Sequence, residues 1–447
     1  MAKELFGTDG IRSVAGEFPL DARTLYWIGH TVGEHLARSG PAPRVLIGMD
    51  TRESGPGIAA TLAAGLERAG AVSEFAGIIT TPGVACLVRQ KGFAAGVVIS
   101  ASHNPFHDNG VKLFAASGMK FPDEIEERLE EQLITRMKQE PRAQSGSLKA
   151  DSSLDEEYLT FLRSRALPGA SLAGLKIVLD CANGAASFLG PTLFRSLGAA
   201  VVAIYNQPDG RNINAGCGSL HPQELQKRVV AERAPLGVAF DGDADRAVFV
   251  SASGALVNGD GVLLAAARYL KSVGQLKGRA IIGTTMTNLG LERALAKEGL
   301  ELVRVNVGDR YVLEGMQKLG CNLGGEQSGH IIFLDDATTG DGLLTALKIA
   351  GLVALRGPLD GLVTGLKDFP QTIVNVKVRS KPRLDTLPEV SRVLAEANRA
   401  LGERGRVVLR YSGTEPLARV MVEAERADDV ARWSEAIASA IRDSLGA

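Results

Sequence analysis

The stretch DGDADR, from Asp241 to Arg246, places three carboxylates at alternate positions directly after an apolar strand. In an extended loop Asp241, Asp243 and Asp245 would point the same way, and three hard oxygen ligands that close need a cation such as Mg²⁺. A solvated acidic turn is the alternative for a lone triplet of this kind. The position after a buried strand favours the metal site.

A second polar loop, SASHNP, begins at Ser100 and also follows an apolar strand. Beside a metal and a phosphate-binding loop, Ser102 could carry a phosphoryl group, because a serine monoester resists water between turnovers. The cation would bridge the phosphoryl oxygens on Ser102 to the aspartates, and His103 could move a proton. We interpret Ser100 as a cap on the backbone and His107 as an exposed loop imidazole.

Two basic residues could neutralise a phosphoryl group in transit. Lys112 lies in the polar segment that contains the serine loop, and Arg12 lies in FGTDGIR near the N-terminus. Fixed cations stabilise the negative charge that spreads over the oxygens during transfer. We therefore expect Lys112 and Arg12 to face the moving group.

The loop GEQSGH carries the polar residues Glu326, Ser328 and His330 between glycines. A charged acceptor, a hydroxyl and a titratable imidazole suit recognition of a polyhydroxylated ring. A flexible turn with an exposed histidine is the alternative.

The stretch RYSGTEPLAR mixes guanidinium groups, hydroxyls and turn amides, a combination that suits a phosphate dianion. An ordinary hairpin loop is the alternative, and the flanking arginines favour phosphate binding. The candidate residues are Arg410, Ser412, Gly413, Thr414 and Arg419.

Three β-α-β units account for the positions of the first three loops. The strands RVLIGM, KIVLD and RAIIG open the units, and each unit continues through a second helix into a third strand. The third strands end in SASHNP, DGDADR and GEQSGH. Since ligands bind beyond the carboxyl ends of strands in open α/β sheets, we expect these loops to converge. Glycines that suit left-handed helix caps end the first helices: Gly70, Gly198 and Gly299.

The chain of 447 residues is long enough for several domains. After Asp368 the pattern changes to an alternating strand, a hairpin and an amphipathic helix, which indicates a small α+β domain. Arg136 to Gly146 is the best candidate linker. We predict a serine-loop domain, a metal domain, a sugar domain and a phosphate domain at residues 1–145, 146–253, 254–367 and 368–447.

Composition and charge indicate which binding partners and which cellular location to expect. The formal charge of −1 and the lack of long single-sign runs argue against a nucleic-acid surface. No stretch reaches the length of about 18 apolar residues that a membrane span needs, and the start lacks a leader pattern. We therefore expect a cytoplasmic protein that binds neither membrane nor nucleic acid. Four cysteines without CxxC spacing fit buried structural thiols: Cys86, Cys181, Cys217 and Cys321.

Five separated motifs resemble those of the α-D-phosphohexomutases, in order through nearly the whole chain: FGTDGIR, ISASHNPFHDNGVKLF, DGDADR, GGEQSGH and SGTEPLARVMVE. The resemblance implies an α/β fold. Three related α/β domains with mixed sheets sandwiched by helices, plus a smaller C-terminal α+β domain, would surround a central cleft. Two residues depart from the family pattern, Ala244 in place of glycine and Tyr411 in place of proline, and neither change removes a ligand.

The resemblance also implies roles for individual residues. Ser102 would be the phosphoserine and a metal ligand beside the three aspartates. Arg246 would contact the region around Ser102, and His330 would belong to the catalytic set. Glu326 and Ser328 would hold sugar hydroxyls. The residues implied to hold the phosphate that is not reacting are Arg410, Ser412, Gly413, Thr414 and Arg419.

Members of this family convert a hexose 6-phosphate into the 1-phosphate by way of a bisphosphate, and they require Mg²⁺. Gln327 in GEQSGH, together with the FGTDGIR motif, resembles the sequence pattern of the glucosamine-specific branch. The resemblance therefore implies a hexosamine phosphate substrate, glucosamine 6-phosphate, with glucosamine 1-phosphate as product and glucosamine 1,6-bisphosphate as intermediate and activator. It also implies a homodimer.

Three other functions fit parts of the pattern. Glucose and mannose phosphates are the alternative substrates within the same family. A metal-dependent sugar phosphatase would also place an Asp-x-Asp loop after a buried strand, but it has no use for a serine loop and a second phosphate site. A catalytically silent sugar-phosphate sensor is the third.

Overall fold

The structure is a computed structural model that describes residues 5–7, 9–139, 148–412 and 416–446. The chain divides into two compact units, Met1–Thr284 with Val303–Thr364, and Thr285–Leu302 with Gly365–Ala447. Most of the linker expected at Arg136 to Gly146 lies outside the described residues. The four-domain boundaries stay a prediction.

The first repeat forms a five-stranded sheet, ordered β1-β5-β4-β2-β3 and covered by helices. Its elements are β1 (Ile11–Val14), α1 (Ala22–Ala37), β2 (Arg44–Met49), α2 (Gly55–Arg68), β3 (Val72–Ile78), α3 (Thr81–Lys91), β4 (Ala95–Ile99), β5 (Asp108–Ala115) and α4 (Asp123–Arg136).

The second repeat forms another five-stranded sheet, ordered β10-β9-β8-β6-β7. Its elements are α5 (Ser153–Ser164), β6 (Lys176–Asp180), α6 (Ala186–Ser196), β7 (Ala200–Ile204), α7 (Gln223–Glu232), β8 (Leu236–Phe240), β9 (Ala247–Ser251) and β10 (Leu256–Val257).

The third repeat has a four-stranded sheet, ordered β12-β11-β13-β14. Its elements are α8 (Gly259–Ser272), β11 (Ala280–Thr284), α9 (Leu289–Lys297), β12 (Glu301–Val305), α10 (Asp309–Leu319), β13 (Leu323–Gly325), β14 (Ile331–Phe333), α11 (Gly342–Arg356) and α12 (Leu359–Leu362).

The three sheets share one connectivity, which confirms the predicted repeats. In each repeat, the strand before the polar loop (β4, β8 or β13) runs parallel to the strand that opens the β-α-β unit (β2, β6 or β11). The strand after the polar loop (β5, β9 or β14) pairs antiparallel with the strand before it. SASHNP, DGDADR and GEQSGH therefore occupy equivalent turns at the carboxyl ends of parallel strands. The predicted glycine caps are confirmed, with φ of 87° at Gly70, 84° at Gly198 and 69° at Gly299.

The C-terminal residues form a three-stranded antiparallel sheet, ordered β15-β17-β16, with two helices. The helix α9 packs in the same unit, where the Leu289 amide donates to Glu423 Oε1 at 2.6 Å. Among the described residues, none of the helices is long and apolar enough to cross a membrane. The elements of this sheet and its helices are β15 (Gln371–Lys377), α13 (Pro388–Leu401), β16 (Gly405–Tyr411), β17 (Leu417–Ala424) and α14 (Ala427–Leu445).

The helices α1 and α2 pack closely on the sheet that carries the serine loop, because glycines let their backbones approach. A Cβ added at Gly65 in α2 would overlap the carbonyl oxygen of Tyr26 in α1. At Gly57, also in α2, a Cβ would meet nothing within 4 Å. The two glycines thus give a matched pair for testing this contact.

We predict that Gly65→Ala lowers the free energy of unfolding by about 1–3 kcal/mol, since the methyl group forces the helices apart. Gly57→Ala should leave it unchanged or raise it by up to about 1 kcal/mol, because alanine favours helix. Urea titration followed by circular dichroism measures both variants. Equal stability of the two would contradict the close packing.

Candidate functional site

Ser102 is buried at the turn after β4, in the left-handed backbone region with φ of 52°. Its hydroxyl donates to Asp241 Oδ2 at 2.5 Å and lies 3.4 Å from His103 Nδ1. Non-glycine residues in this region are uncommon and cluster at functional sites. The predicted serine therefore faces the first predicted metal ligand from the neighbouring repeat.

The three aspartates come together as predicted, but the loop that carries them does not have the extended conformation that their spacing suggests. Each of Asp241, Asp243 and Asp245 offers an oxygen within 4.8 Å of the others, and all three are buried. The loop between β8 and β9 is a turn and not an extended segment, with φ of 55° at Ala244. A Cβ at Gly242 would lie 2.5 Å from the Ser102 carbonyl oxygen, so this loop packs directly on the serine loop.

This carboxylate cluster fits a divalent cation. Burial and the charges of Asp245 and Asp243 raise the pKa of Asp241 well above its usual range. One oxygen on each of Asp243 and Asp245 is buried without a hydrogen-bond partner. A cation among them would offset the repulsion and satisfy these oxygens.

Lys112 lies on strand β5, although the polar segment around it suggested a loop. Its ammonium group lies 2.8 Å from Asp243 Oδ2, 3.1 Å from Asp9 Oδ2 and 3.5 Å from Asp245 Oδ2. Burial alone would lower the pKa of Lys112, but these carboxylates raise it well above the usual value. Lys112 is therefore a fixed buried cation at the edge of the cluster.

Arg12 reaches the same cluster through Asp9. The guanidinium of Arg12 pairs with one carboxylate oxygen of Asp9, and Lys120 pairs with the other. Lys120 also lies 2.6 Å from Asp309 Oδ2 at the start of α10. A chain of alternating charges thus connects the first repeat to the third.

Arg246 and His330 also lie beside the aspartates. The Arg246 amide donates to Asp241 Oδ1 at 3.1 Å, and its Nε lies 3.7 Å from Asp245 Oδ1. The Gly340 amide donates to His330 Nε2 at 3.0 Å, so the ring carries its proton on Nδ1, which lies 3.7 Å from Asp245 Oδ1. Burial alone would raise the pKa of Asp245, but Lys112, His330 and Arg246 hold it well below its usual range.

The loop GEQSGH presents a small polar cluster after β13. Glu326 accepts hydrogen bonds from the Gly308 amide at 3.1 Å and from the Ser328 hydroxyl at 3.3 Å. The Gln327 amide nitrogen lies 3.3 Å from Asp260 Oδ2. Glu326 also acts electrostatically on His330 and Arg246, so it belongs to the same charged neighbourhood.

The predicted phosphate residues lie in the second unit, except for Gly413 and Thr414, which lie outside the described residues. Arg410 on β16 stands directly opposite Arg419 on β17. Burial, and then the charge of Arg419, lower the pKa of Arg410. Like charges at opposed positions are unfavourable, and an anion between them would relieve the repulsion.

The backbone next to this arginine pair is fixed by side chains. Lys381 donates to the Ser412 carbonyl at 2.7 Å, and the Tyr411 hydroxyl donates to the Pro382 carbonyl at 2.6 Å. Tyr411, which departs from the family pattern, therefore has a hydrogen-bonding role of its own.

Ser100 and His107 have the structural roles that were predicted for them. Ser100 accepts a hydrogen bond from the Ser102 amide at 2.9 Å, as a backbone cap would, and the His107 side chain is 55% exposed. Sequence reasoning missed Asp9, Asp50 and Arg52, all buried or half-buried near the serine loop. Their positions in the sequence could have marked them as candidates, since Asp9 lies within FGTDGIR and the other two directly follow the first strand of the first repeat.

Comparison with protein families gives four matches along the chain. The matching families are described as phosphoglucomutase/phosphomannomutase alpha/beta/alpha domains I, II and III and the C-terminal domain. The matched residues are 3–140, 156–254, 258–369 and 373–440.

Full-length relatives carry a more specific name. The chain is 52% identical over 448 residues to a phosphoglucosamine mutase of Solibacter usitatus, with all of both chains covered. It is 50% identical to a phosphoglucosamine mutase of Koribacter versatilis, covering 99% of this chain and 98% of that protein. A solved phosphoglucomutase/phosphomannomutase family protein of Burkholderia thailandensis matches with TM-score 0.78 and 25% identity, covering 98% and 97% of the chains.

We predict that Asp243→Asn lowers the affinity of the protein for Mg²⁺ by about tenfold or more, because it removes one of three anionic ligands. Isothermal titration calorimetry with magnesium chloride measures this on dephosphorylated protein. Asp336→Asn is the control, since Asp336 pairs with Lys348 at 2.9 Å outside the cluster and should leave the affinity unchanged. Equal affinities of wild type and Asp243→Asn would contradict the assignment.

Proposed function

Because this chain belongs to the phosphoglucomutase/phosphomannomutase family, we propose that it interconverts glucosamine 6-phosphate and glucosamine 1-phosphate. Support comes from the full-length relatives at 52% and 50% identity, which are phosphoglucosamine mutases. The single observation that carries the chemistry is the Ser102 hydroxyl, 2.5 Å from Asp241 Oδ2 in a buried carboxylate cluster. The activity is that of an isomerase acting through a phosphoserine.

Ser102 is the phosphoryl carrier. The free sugar hydroxyl attacks the phosphorus of phosphoserine 102, the bond between phosphorus and Ser102 Oγ breaks, and a bisphosphate forms. The bisphosphate, glucosamine 1,6-bisphosphate, then turns over, and Ser102 Oγ takes the other phosphoryl group. Phosphoryl transfer needs mostly positioning and charge neutralisation, and the burial of Ser102 limits loss of the group to water.

The protonation states of the nearby side chains suit these roles. Burial lowers the pKa of His103 to about 4, and the charges of Arg246 and Arg12 add to this effect. In the dephosphorylated protein its imidazole is therefore neutral near pH 7. Lys112 stays charged and, with Arg12, offsets charge on the moving group.

Mg²⁺ is the cation that suits the oxygen ligands of this site. Asp241, Asp243 and Asp245 would hold it, with a phosphoryl oxygen on Ser102 as a further ligand. Bound there, Mg²⁺ supplies charge neutralisation between the carboxylates and the phosphoryl group.

Two further groups of residues recognise substrate. Glu326 and Ser328 bind sugar hydroxyls, next to His330, which belongs to the catalytic set and is held beside Asp245. The opposed arginines and their loop bind the phosphate that is not reacting, so that one clamp serves both orientations of the bisphosphate. The residues of this clamp are Arg410, Ser412, Gly413, Thr414 and Arg419.

The choice of glucosamine rests on the relatives and on one physical argument. A 2-amino group is cationic near neutral pH and gains from a carboxylate, and Glu326 offers one in the sugar loop. Glucose and mannose phosphates are slower alternative substrates. The homodimer and the cytoplasmic location stay predictions from the sequence.

We predict that Ser102→Ala abolishes sustained turnover while the protein stays folded, because the variant lacks the phosphoryl acceptor. Intact-mass and peptide analysis of purified wild type should find one added phosphate on Ser102. The control is Ser164→Ala, since the Ser164 hydroxyl makes only a local bond to the Phe161 carbonyl at 2.6 Å. Normal turnover by Ser102→Ala, or phosphate on another residue, would rule out the carrier role.

The proposed substrate is tested by measuring kcat/KM for glucosamine, glucose and mannose 6-phosphates side by side, each with its 1,6-bisphosphate as activator. We expect the glucosamine substrate to be preferred by about tenfold or more, since a lost charged contact costs at least that much. A preference for glucose or mannose would overturn the specificity and leave the mutase chemistry intact. Release of inorganic phosphate at the rate of substrate loss would instead indicate a phosphatase.

A further inference from the structure

Arg52 is a fully buried arginine outside the set of residues discussed above for chemistry. It follows β2, and all five of its guanidinium N–H donors have acceptors. Nε donates to Asp50 Oδ2 at 2.9 Å, and the two terminal nitrogens donate to four carbonyl groups of the segment from Ser102 to Asp108. Those carbonyls belong to Ser102 at 3.1 Å, Asn104 at 2.8 Å, Pro105, and Asp108 at 3.0 Å.

The same ion pair also holds the other side of the Ser102 peptide unit. Asp50 Oδ2 accepts a hydrogen bond from the Ser100 hydroxyl at 2.6 Å, and the Ser100 oxygen accepts from the Ser102 amide at 2.9 Å. The amide and the carbonyl of Ser102 are therefore both tied to the Asp50–Arg52 pair. This fixes the peptide groups on both sides of a residue whose left-handed conformation costs about 1–2 kcal/mol.

A second donor reaches the same carbonyls from the neighbouring repeat. Asn214 Nδ2 donates to the Ser102 carbonyl at 2.9 Å and to the Asn104 carbonyl at 3.0 Å. Arg52 and Asn214 thus hold the serine loop from two sides. The loop that carries Ser102 is fixed against the repeat that carries the aspartates.

We propose that Arg52, assisted by Asn214, is a positioning residue that holds Ser102 in its left-handed conformation, so that Oγ faces the aspartate cluster. The proposal rests on the proposed function, because it concerns the phosphoryl carrier of that reaction. Neither side chain touches the reacting atoms. Their effect passes through the backbone carbonyls of Ser102 and Asn104.

Lysine cannot replace Arg52 in this role. An ammonium group has three donors from one nitrogen, whereas the guanidinium spans four carbonyls and a carboxylate in a rigid planar fork. In Arg52→Lys at least two of these five acceptors lose the hydrogen bond that Arg52 donates, and Ser102 can relax out of the left-handed region. A displacement of about 1 Å at a reacting atom lowers the rate by about 10²-fold.

The test compares Arg52→Lys with Thr51→Val. Thr51 lies in the same turn, and its hydroxyl donates to the Asn183 carbonyl at 2.6 Å, so its loss removes a buried hydrogen bond without touching the serine loop. Both variants should be less stable than wild type. Only Arg52→Lys should lose kcat, by about 10²-fold per phosphorylated enzyme, with KM nearly unchanged.

Hydrogen exchange gives a second readout that does not depend on turnover. We expect faster exchange at the Ser102 to Asn104 amides in Arg52→Lys and, to a smaller extent, in Asn214→Ala, which remains informative if Arg52→Lys does not fold. Unchanged exchange in these variants, or a normalised kcat equal to that of Thr51→Val, would overturn the positioning role. Failure of wild type to convert glucosamine 6-phosphate would overturn the proposed function alone, since the exchange result stands by itself.

Discussion

Three buried carboxylates, one of which accepts a hydrogen bond from the Ser102 hydroxyl, are the constraint on which this site depends. One carboxylate oxygen from each of Asp241, Asp243 and Asp245 lies within 4.8 Å of the others, and burying charges together costs several kcal/mol unless counter-charges are fixed nearby. Lys112 supplies one such charge from a neighbouring strand. A divalent cation would supply the remaining positive charge and would also offset the negative charge of a phosphoryl group on Ser102, which is why carrier and metal ligands are best understood as one unit.

The repeated fold explains how residues far apart in sequence reach this cluster. Each of the first two repeats brings a parallel strand to the site and then turns back in an antiparallel strand, so that the serine loop and the aspartate loop occupy equivalent turns. The close approach of Gly242 to the Ser102 carbonyl joins the two loops directly. Duplication of one topology therefore creates a site that no single repeat contains.

The sequence predicted the repeats, the loops and the left-handed glycines, because strand periodicity and turn residues are local signals. It predicted the aspartate cluster for a partly wrong reason, since the loop turns at Ala244 instead of extending. It could not identify Arg52, whose role comes from four carbonyls between 50 and 56 positions away. Such a role depends on tertiary contacts and leaves only a weak trace, a buried charge at the end of a strand.

In the proposed reaction one phosphoryl group passes from Ser102 to the sugar, and the other phosphoryl group of the bisphosphate passes to Ser102. A single-turnover experiment tests it most directly: enzyme carrying ³²P on Ser102 is mixed with unlabelled glucosamine 6-phosphate and quenched at successive times. We expect the label to appear first in the bisphosphate and then in glucosamine 1-phosphate, while Ser102 takes the unlabelled phosphoryl group from the 6-position. Label that stays on the protein during product formation, or that leaves as inorganic phosphate, would contradict it.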